Sequence, residues 1–425
     1  MGSQSLNVTW FGFVDGMEPW HQVLYLDMRL KKPRQGALTY EQQYVVSSWG
    51  AQDTIDEGLC PNGCVDCNVG GQCNALSTEV HADRTITCDA KSEWCSRTTL
   101  LTQDFVQYGA YYMKVFMQEP DLFKTMTSFD LEFEIVYITR AFTRFQMAWF
   151  YSWATIVLLV MFMPGVGYFS GMRQLHQNFW SRQQVRVGVL LVLLLLFDNI
   201  FFAFQILSSA PRLFFSLYVL FVATFLANML FFWLELFSDL ASGNMQGSDP
   251  AVKFERNRKK ALKEYLPKVL LVGLIWITTV VIFVYVRVKQ TGDPSYDAHA
   301  DLSSYGAFKV LAVILATTYF LWLLHHVTVS LRQIKYVGPE YRVLLWITLA
   351  TIAGTAAGLY SMTLTPRASE QGATSFTLFT GMMNIYVLIL AYCYTPVVDD
   401  VGYGDINVAS AEMVPTAELD IDHQA

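Results

Sequence analysis

Charged residues are scarce in this sequence. Lys, Arg, Asp and Glu make up 15% of its 425 residues, whereas 53% are apolar and 15% are aromatic. Soluble domains carry about one quarter charged residues. Because the scarcity is confined to the middle of the chain, we predict an outside domain at 1–145, a membrane domain at 146–396 and an acidic tail at 397–425. The net charge of −7 argues against nucleic acid as a partner.

Motifs of catalytic sites are also missing. The sequence contains no His-Glu-x-x-His, no Gly-x-Ser-x-Gly and no phosphate-binding loop. The run Gly402–Asp405 matches the Gly-x-Gly-Asp pattern of intramembrane aspartyl proteases, with Asp198 as a second carboxylate, but Asp405 follows the final apolar stretch. That stretch also has no lysine for a retinal Schiff base. We therefore expect no catalytic residue, no metal site and no cofactor. The sequence is compatible with a bound lipid.

Seven apolar stretches are long enough to cross a membrane as helices, which takes about 20 residues each. They are residues 147–166, 187–208, 213–236, 267–287, 307–330, 342–362 and 374–395. This length and apolarity predict a membrane α-helical bundle of seven transmembrane helices.

The distribution of Lys and Arg predicts how the bundle is oriented. Basic residues concentrate in the loops after the first, third and fifth stretches, above all in residues 253–263. The positive-inside rule places these loops in the cytosol, so the N-terminal domain would be lumenal or extracellular and the tail cytosolic. Residues 1–30 contain no apolar run that would act as a signal peptide, so we expect the native N-terminus to lie further upstream.

Cysteine usage fits an oxidising compartment. Six of the seven cysteines lie close together, at Cys60, Cys64, Cys67, Cys73, Cys88 and Cys95. An even number in a short stretch predicts three disulfides of unknown connectivity. A zinc site is the alternative for these thiols, but no nearby His completes a zinc-finger spacing. Asn7, in Asn7-Val8-Thr9, is a candidate glycosylation site on the same side.

Short runs of aromatic and β-branched residues alternate with turns in the N-terminal domain. They are LNVTWFGFV, QVLYLDMRL, YEQQYVVSSW, TITC, YGAYYMKVFM and SFDLEFEIVYI. This pattern predicts an all-β antiparallel sandwich. The last run leads through TRAFTRFQ almost directly into the first apolar stretch, which would couple the domain to the bundle.

Several motifs of the membrane part, taken in order, resemble one family. The final stretch, MMNIYVLILAYCYTP, resembles the closing pattern of Wntless-like proteins. The runs LLLLFDNIFFAF, FFWLELF and YLPKVLLVGLIWITTV, followed by DPSY and FKV, look most like the transmembrane protein 181 branch of this GOLD-domain, seven-transmembrane family. The resemblance covers roughly residues 128–396. Asp198 and Asn199 reverse the family's Asn-Asp-Pro run, and Ile200 replaces its proline.

The resemblance implies both an architecture and a role. The architecture is a lumenal GOLD-like sandwich on a bundle resembling a G-protein-coupled receptor, and the branch usually adds an N-terminal anchor helix. The role is trafficking of a secreted, lipidic or membrane cargo through the Golgi, endosomes or plasma membrane. A receptor for a toxin or peptide, with a G protein as partner, is the alternative, and an ion channel is a third reading.

Five polar residues at membrane depth form the candidate ligand site, which is Asp198, Asn199, Asn228, Asn384 and Tyr386. Polar groups in a membrane are costly and usually face the bundle interior. They would line a cavity for a lipid, a lipidated cargo or an ion, or they would form a buried network that fixes helix register. The sequence leaves both readings open.

The tail offers a candidate sorting motif. Tyr403-Gly404-Asp405-Ile406 fits the Tyr-x-x-hydrophobic pattern that clathrin adaptors bind, with Tyr403 and Ile406 as anchors. This predicts cytosolic sorting adaptors as partners.

Overall fold

The fold is known from a computed structural model. It describes residues 8–18, 20–31, 38–52, 64, 73–89, 91–104, 106, 108–117, 131–164, 167–174, 181–208, 211–241, 258–292, 306–333, 339–364 and 373–395.

The N-terminal domain consists of two antiparallel sheets. The strands are β1 Val8–Val14, β2 Val23–Leu30, β3 Leu38–Ala51, β4 Cys73–Cys88, β5 Thr98–Asp104, β6 Ala110–Met117 and β7 Leu131–Tyr137. A four-stranded sheet has the order β1-β6-β3-β4, and a three-stranded sheet has the order β5-β2-β7. Alternate side chains of β2 and β6, such as Leu26 and Met113, are fully buried in one shared core. The predicted β-sheet domain is confirmed, whereas its GOLD type stays a prediction.

Two parts of these sheets are not anticipated by the sequence patterns. β5 and the first three-quarters of β4 lie outside the predicted runs. Each is an edge strand that pairs with one neighbour among the described strands. The β4 run CNALSTEVHADR is mostly polar and lacks the apolar alternation that marks a half-buried strand. β5 has two adjacent buried leucines, Leu100 and Leu101, in place of that alternation.

The membrane domain is helical. Its helices are α1 Arg140–Phe162, α2 Tyr168–Gln174, α3 Arg182–Phe197, α4 Phe202–Leu207, α5 Pro211–Ala241, α6 Arg258–Gly292, α7 Gly306–Gln333, α8 Pro339–Leu364 and α9 Ala373–Tyr394. Six segments of the described chain are long and apolar enough to cross a membrane, namely α1, α3 with α4, α5, α6, α7 and α9, and α8 holds a shorter apolar stretch at Arg342–Gly358. The protein is therefore a multi-pass membrane protein, and the seventh span stays a prediction.

The second apolar stretch is not one continuous helix. α3 ends at Phe197 with Asp198 as its C-cap, and α4 begins at Phe202. Between them Asn199 has φ 46°, in the left-handed region. Asp and Asn side chains compete with the helix for backbone hydrogen bonds, and Asn tolerates this conformation. The prediction that Asp198 and Asn199 lie within an unbroken helix is therefore wrong.

α5 and α9 lie at the centre of the bundle. α5 packs against α3, α4, α6 and α7, whereas α9 packs against α1, α3 and α8. Hydrogen bonds reinforce this arrangement, because Tyr319 and Ser330 of α7 donate to the carbonyls of Leu230 and Phe237 in α5, at 3.0 and 2.9 Å. The candidate site residues lie along these two central helices and at the break before α4.

Candidate functional site

Asp198 and Asn384 meet directly in the bundle interior. The Asn384 Nδ2 group donates to Asp198 Oδ1 at 2.7 Å and to the carbonyl of Thr380, one turn earlier in α9, at 3.0 Å. Both side chains have no solvent exposure. The break after α3 thus places the carboxyl group of Asp198 against α9, as the sequence hypothesis of a shared polar site requires.

The polar contacts continue from this pair toward α1. Thr380 Oγ1 accepts from the indole Nε1 of Trp149, at 2.8 Å, which joins α9 to α1. Asn199 Nδ2 donates to Gln205 Oε1 at 3.3 Å, and this bond spans the break between α3 and α4. The Tyr151 hydroxyl of α1 accepts from the backbone N–H of Ala203 at 3.1 Å. The Tyr151 hydroxyl thus satisfies a backbone N–H group just after the break, where an unbroken helix would satisfy it with a carbonyl.

Tyr386 lies at a second polar centre, which connects three helices. Its hydroxyl accepts from Trp233 Nε1 of α5 at 3.1 Å and lies 3.1 Å from Thr348 Oγ1 of α8. Tyr386 is 1% exposed. Two separate hydrogen-bonded groups thus lie in the bundle interior, and we call them together the central network. One group is Asp198, Asn384, Thr380 and Trp149, and the other is Trp233, Tyr386 and Thr348.

Asn228 lies apart from the central network. Its Nδ2 donates to the carbonyl of Thr224 in its own helix at 2.9 Å, and the Thr224 hydroxyl accepts from Trp276 of α6 at 3.1 Å. Asn228 is half-buried and belongs to the contact between α5 and α6. Of the five predicted residues, the structure therefore joins Asp198 to Asn384 directly, and it bonds Asn199 to Gln205 and Tyr386 to Trp233 and Thr348. It places Asn228 elsewhere.

The predicted residues at the break and on α9 are closed to solvent. Asp198, Asn199, Asn384 and Tyr386 are at most 2% exposed. Fully buried interhelical hydrogen bonds of this kind fix the register of membrane helices. The geometry supports the structural reading of these residues, and the ligand-binding reading stays a prediction.

A charged cluster at the other end of α3 is missed by the sequence reading. Arg186 pairs with Glu235 of α5. The ring centres of Phe231 and Tyr265 lie 4.5 and 4.9 Å from its guanidinium carbon. Both charged side chains are mostly buried. In the sequence, Arg186 is one of the basic residues that follow the first apolar stretch, and Glu235 is a single acidic residue near the end of the third. Two opposite charges at the same end of two adjacent predicted helices were the available signal.

A third set of contacts fastens the β-sheet domain to α1. The Glu18 carboxylate accepts from Arg140 at 2.7 Å, and Gln22 Nε2 donates to Gln146 Oε1 at 2.9 Å. The Arg144 guanidinium lies 5.9 Å from the centre of the Trp20 ring. These residues of the β1–β2 connection and of the first two turns of α1 form what we call the joint.

The joint is short because strand and helix are almost continuous. β7 ends at Tyr137 and α1 begins at Arg140, with Thr139 as N-cap accepting from the N–H of Phe142. The helix starts seven residues before the apolar stretch predicted at 147, and these extra residues make the contacts to the domain.

Among the residues that the structure describes, the disulfides are Cys64–Cys73 and Cys88–Cys95. They confirm the predicted disulfide bonding for four of the six clustered cysteines. Cys60 and Cys67 lie outside the described residues, as do the glycosylation candidate Asn7 and the sorting anchors Tyr403 and Ile406. No group of three or more metal-binding side chains occurs within the described ranges.

Comparison with known proteins places the membrane domain in a family. The family model described as the Wntless-like transmembrane domain matches residues 139–398, which include all of α1 to α9. The human protein named Transmembrane protein 181 is 26% identical over 338 residues, covering 76% of this chain and 65% of that protein. The chain thus spans slightly less than two thirds of the length of this curated relative. Both findings confirm the resemblance that the motifs indicated.

Proposed function

Because the chain belongs to the Wntless-like transmembrane family, we propose that it is a carrier of the secretory and endosomal pathway. It binds a secreted, lipidic or membrane cargo through a lumenal GOLD-type domain and a seven-span bundle, and its cytosolic loops and tail direct sorting. The observation that carries this proposal is the joint. It is a direct mechanical connection between a folded outside domain and the first membrane helix.

The joint would transmit a movement of the β-sheet domain, caused by cargo binding, to the membrane helices. A cargo that contacts the β-sheet domain acts on Arg140 and Gln146 through the side chains of Glu18 and Gln22. α1 then passes the displacement to α9 through the hydrogen bond between Trp149 and Thr380. A domain held by a flexible linker would bind cargo without this effect on the bundle.

A charge swap tests the carrier function and the joint together. Cells without the protein are supplied with wild type, Glu18→Arg, Arg140→Glu or the double variant, and their secreted and surface proteins are quantified by mass spectrometry. We expect cells without the protein to lose a defined set, wild type and the double variant to restore it, and each single variant to restore it poorly. The matched control is Glu93→Arg, because Glu93 forms an exposed ion pair with Lys31 outside the joint.

Two results would contradict the proposal. An unchanged set of secreted and surface proteins in cells without the protein rejects the carrier function. Full restoration by Glu18→Arg and by Arg140→Glu rejects the role of the joint in it.

A ligand-sensing receptor is the second candidate, and the charged cluster favours it. The Arg186–Glu235 pair joins α3 to α5 at the end that the Lys and Arg pattern predicts to be cytosolic. Removing one partner of a buried ion pair is strongly destabilising, so such a pair holds two helices in one arrangement. A receptor would respond to Glu235→Gln with altered basal second-messenger levels, whereas a carrier would not.

A further inference from the structure

The break after α3 leaves two buried oxygen atoms without hydrogen-bond donors. Asp198 Oδ2 and Asn384 Oδ1 have no partner among the described residues, although neither side chain is exposed. The Asn384 amide group uses Nδ2 on Asp198 Oδ1 and on the Thr380 carbonyl, so its own oxygen faces no donor. Unsatisfied acceptors are costly inside a membrane, where water is absent.

The surroundings of these atoms are electronegative. Asp198 is the C-cap of α3, so its carboxyl group stands at the negative end of the helix dipole. The apolar parts of the lining helices carry no basic side chain, because residues 145–162, 187–208, 213–241 and 373–394 contain no Lys or Arg. Beside the break, the ring centre of Phe197 lies 4.6 Å from that of Phe225, and the Tyr218 side chain is close enough to interact electrostatically with Asp198. A positive charge is therefore missing from the protein's own groups at this position.

We propose that the end of α3 and Asn384 bind a monovalent cation of the size of sodium. Asp198 Oδ2, Asn384 Oδ1 and carbonyl oxygens of the last turn of α3 are its ligands. Interrupted membrane helices use their carboxyl ends and unwound carbonyls to coordinate sodium in this way. The site is independent of any cargo.

The charge of the site selects a monovalent ion. One carboxylate neutralises one positive charge, whereas a divalent ion would leave a net charge buried in the membrane. Calcium and magnesium also require more carboxylate ligands or several retained waters. The cation would hold α3 against α9 and so stabilise the folded bundle by mass action.

Thermal unfolding of the full chain in detergent tests the proposal. The midpoint temperature is followed by intrinsic tryptophan fluorescence while sodium chloride replaces N-methyl-D-glucamine chloride at constant ionic strength. We expect an increase that becomes logarithmic above the dissociation constant, with roughly 3 °C for each further tenfold rise in sodium. Lithium and potassium chloride series then rank the ions by size.

Variants assign the effect to the site. Asp198→Asn removes the charge at nearly constant shape, and we expect it to abolish the response to sodium. The matched control is Asn228→Ala, because Asn228 donates within its own helix and should leave the response unchanged. If Asp198→Asn does not fold, Asn384→Leu replaces it.

The wild-type measurement alone is sufficient to overturn the proposal. A midpoint that is the same in sodium and in N-methyl-D-glucamine rejects the cation site. A midpoint that depends on pH but not on sodium also rejects it, because a proton on Asp198 would then satisfy the two oxygens. If a folded Asp198→Asn protein retains the full sodium response, the ion binds at another position and the assignment to Asp198 is wrong.

Discussion

Asn199 has φ 46°, a left-handed backbone conformation that residues with a Cβ atom rarely adopt. Its amide group also bonds to Gln205 across the break. Gly adopts the left-handed region without strain, whereas in other residues this conformation costs about 1–2 kcal/mol of conformational free energy. Asn is a compromise that supplies the conformation and the side-chain bond together.

At position 199 we expect glycine to be more stabilising than alanine, which reverses their usual order within a helix. Asn199→Gly and Asn199→Ala both lose the bond to Gln205, so the difference between them reports the backbone conformation. We expect the alanine variant to be less stable by about 1 kcal/mol, measured by thermal unfolding in detergent. At Ser152, in the middle of α1, the same pair should show alanine as the more stable variant. Alanine being the better residue at both positions would contradict the left-handed turn.

At the scale of the element, Tyr386 connects α9 to α5 and α8 through one hydroxyl group. Removing it leaves Trp233 and Thr348 without that partner in the bundle interior. Interhelical hydrogen bonds in membrane proteins contribute on average about 0.6 kcal/mol and at most about 1.7 kcal/mol. The three helices are therefore held together at this point by a moderate and localised interaction.

Tyr386→Phe should lower the stability of the bundle by about 1 kcal/mol, because it removes the hydroxyl and keeps the ring. Thermal unfolding in detergent measures the change. Tyr392→Phe is the matched control, since Tyr392 lies on the same helix and is 85% exposed. Equal stabilities of the two variants would show that the hydroxyl of Tyr386 contributes nothing to holding the helices.

The helices were predictable because burial in a membrane imposes a long apolar run. Each predicted stretch overlaps a helix, usually with ends a few residues away. The break at Asp198 was not predictable from apolarity, because two polar residues among many leucines barely change mean hydropathy. A search for polar residues that cap helices would have indicated it.

The site was predicted less well than the fold. The sequence placed Asp198 and Asn384 in one polar group, and the structure shows them hydrogen-bonded. Burying an unpaired polar side chain in a membrane is unfavourable, so such residues usually pair inside the bundle. Asn228 lies apart from them, since an Asn side chain can also donate to a carbonyl of its own helix. The joint required the position of the β1–β2 connection, which only tertiary folding determines.

At the scale of the whole molecule, the parts lie in one order along the chain: disulfide-bonded sheets, helical bundle, tail. A carrier needs its cargo-binding surface on one side and its sorting signal on the other. The predicted orientation meets this need, since it places Tyr403 and Ile406 in the cytosol.

Tyr403→Ala should shift the protein from internal compartments toward the cell surface. The reason is that an adaptor peptide binds through its tyrosine and hydrophobic anchors, whereas the residues between them face solvent. Quantitative fluorescence microscopy and surface biotinylation measure the distribution. Asp405→Ala, between the anchors, should leave it unchanged. An identical distribution of wild type and Tyr403→Ala would remove the sorting motif from the proposed function.

The near-continuity of β7 and α1 also fixes an angle. Each residue of an α-helix turns the chain by about 100° and advances it by about 1.5 Å. A single residue inserted between Gln146 and Trp149 would therefore swing the whole β-sheet domain about a quarter turn around the axis of α1, whereas four residues would restore its facing to within roughly 40°. The direction in which the β-sheet domain faces around α1 is thus set by the number of residues in one helix.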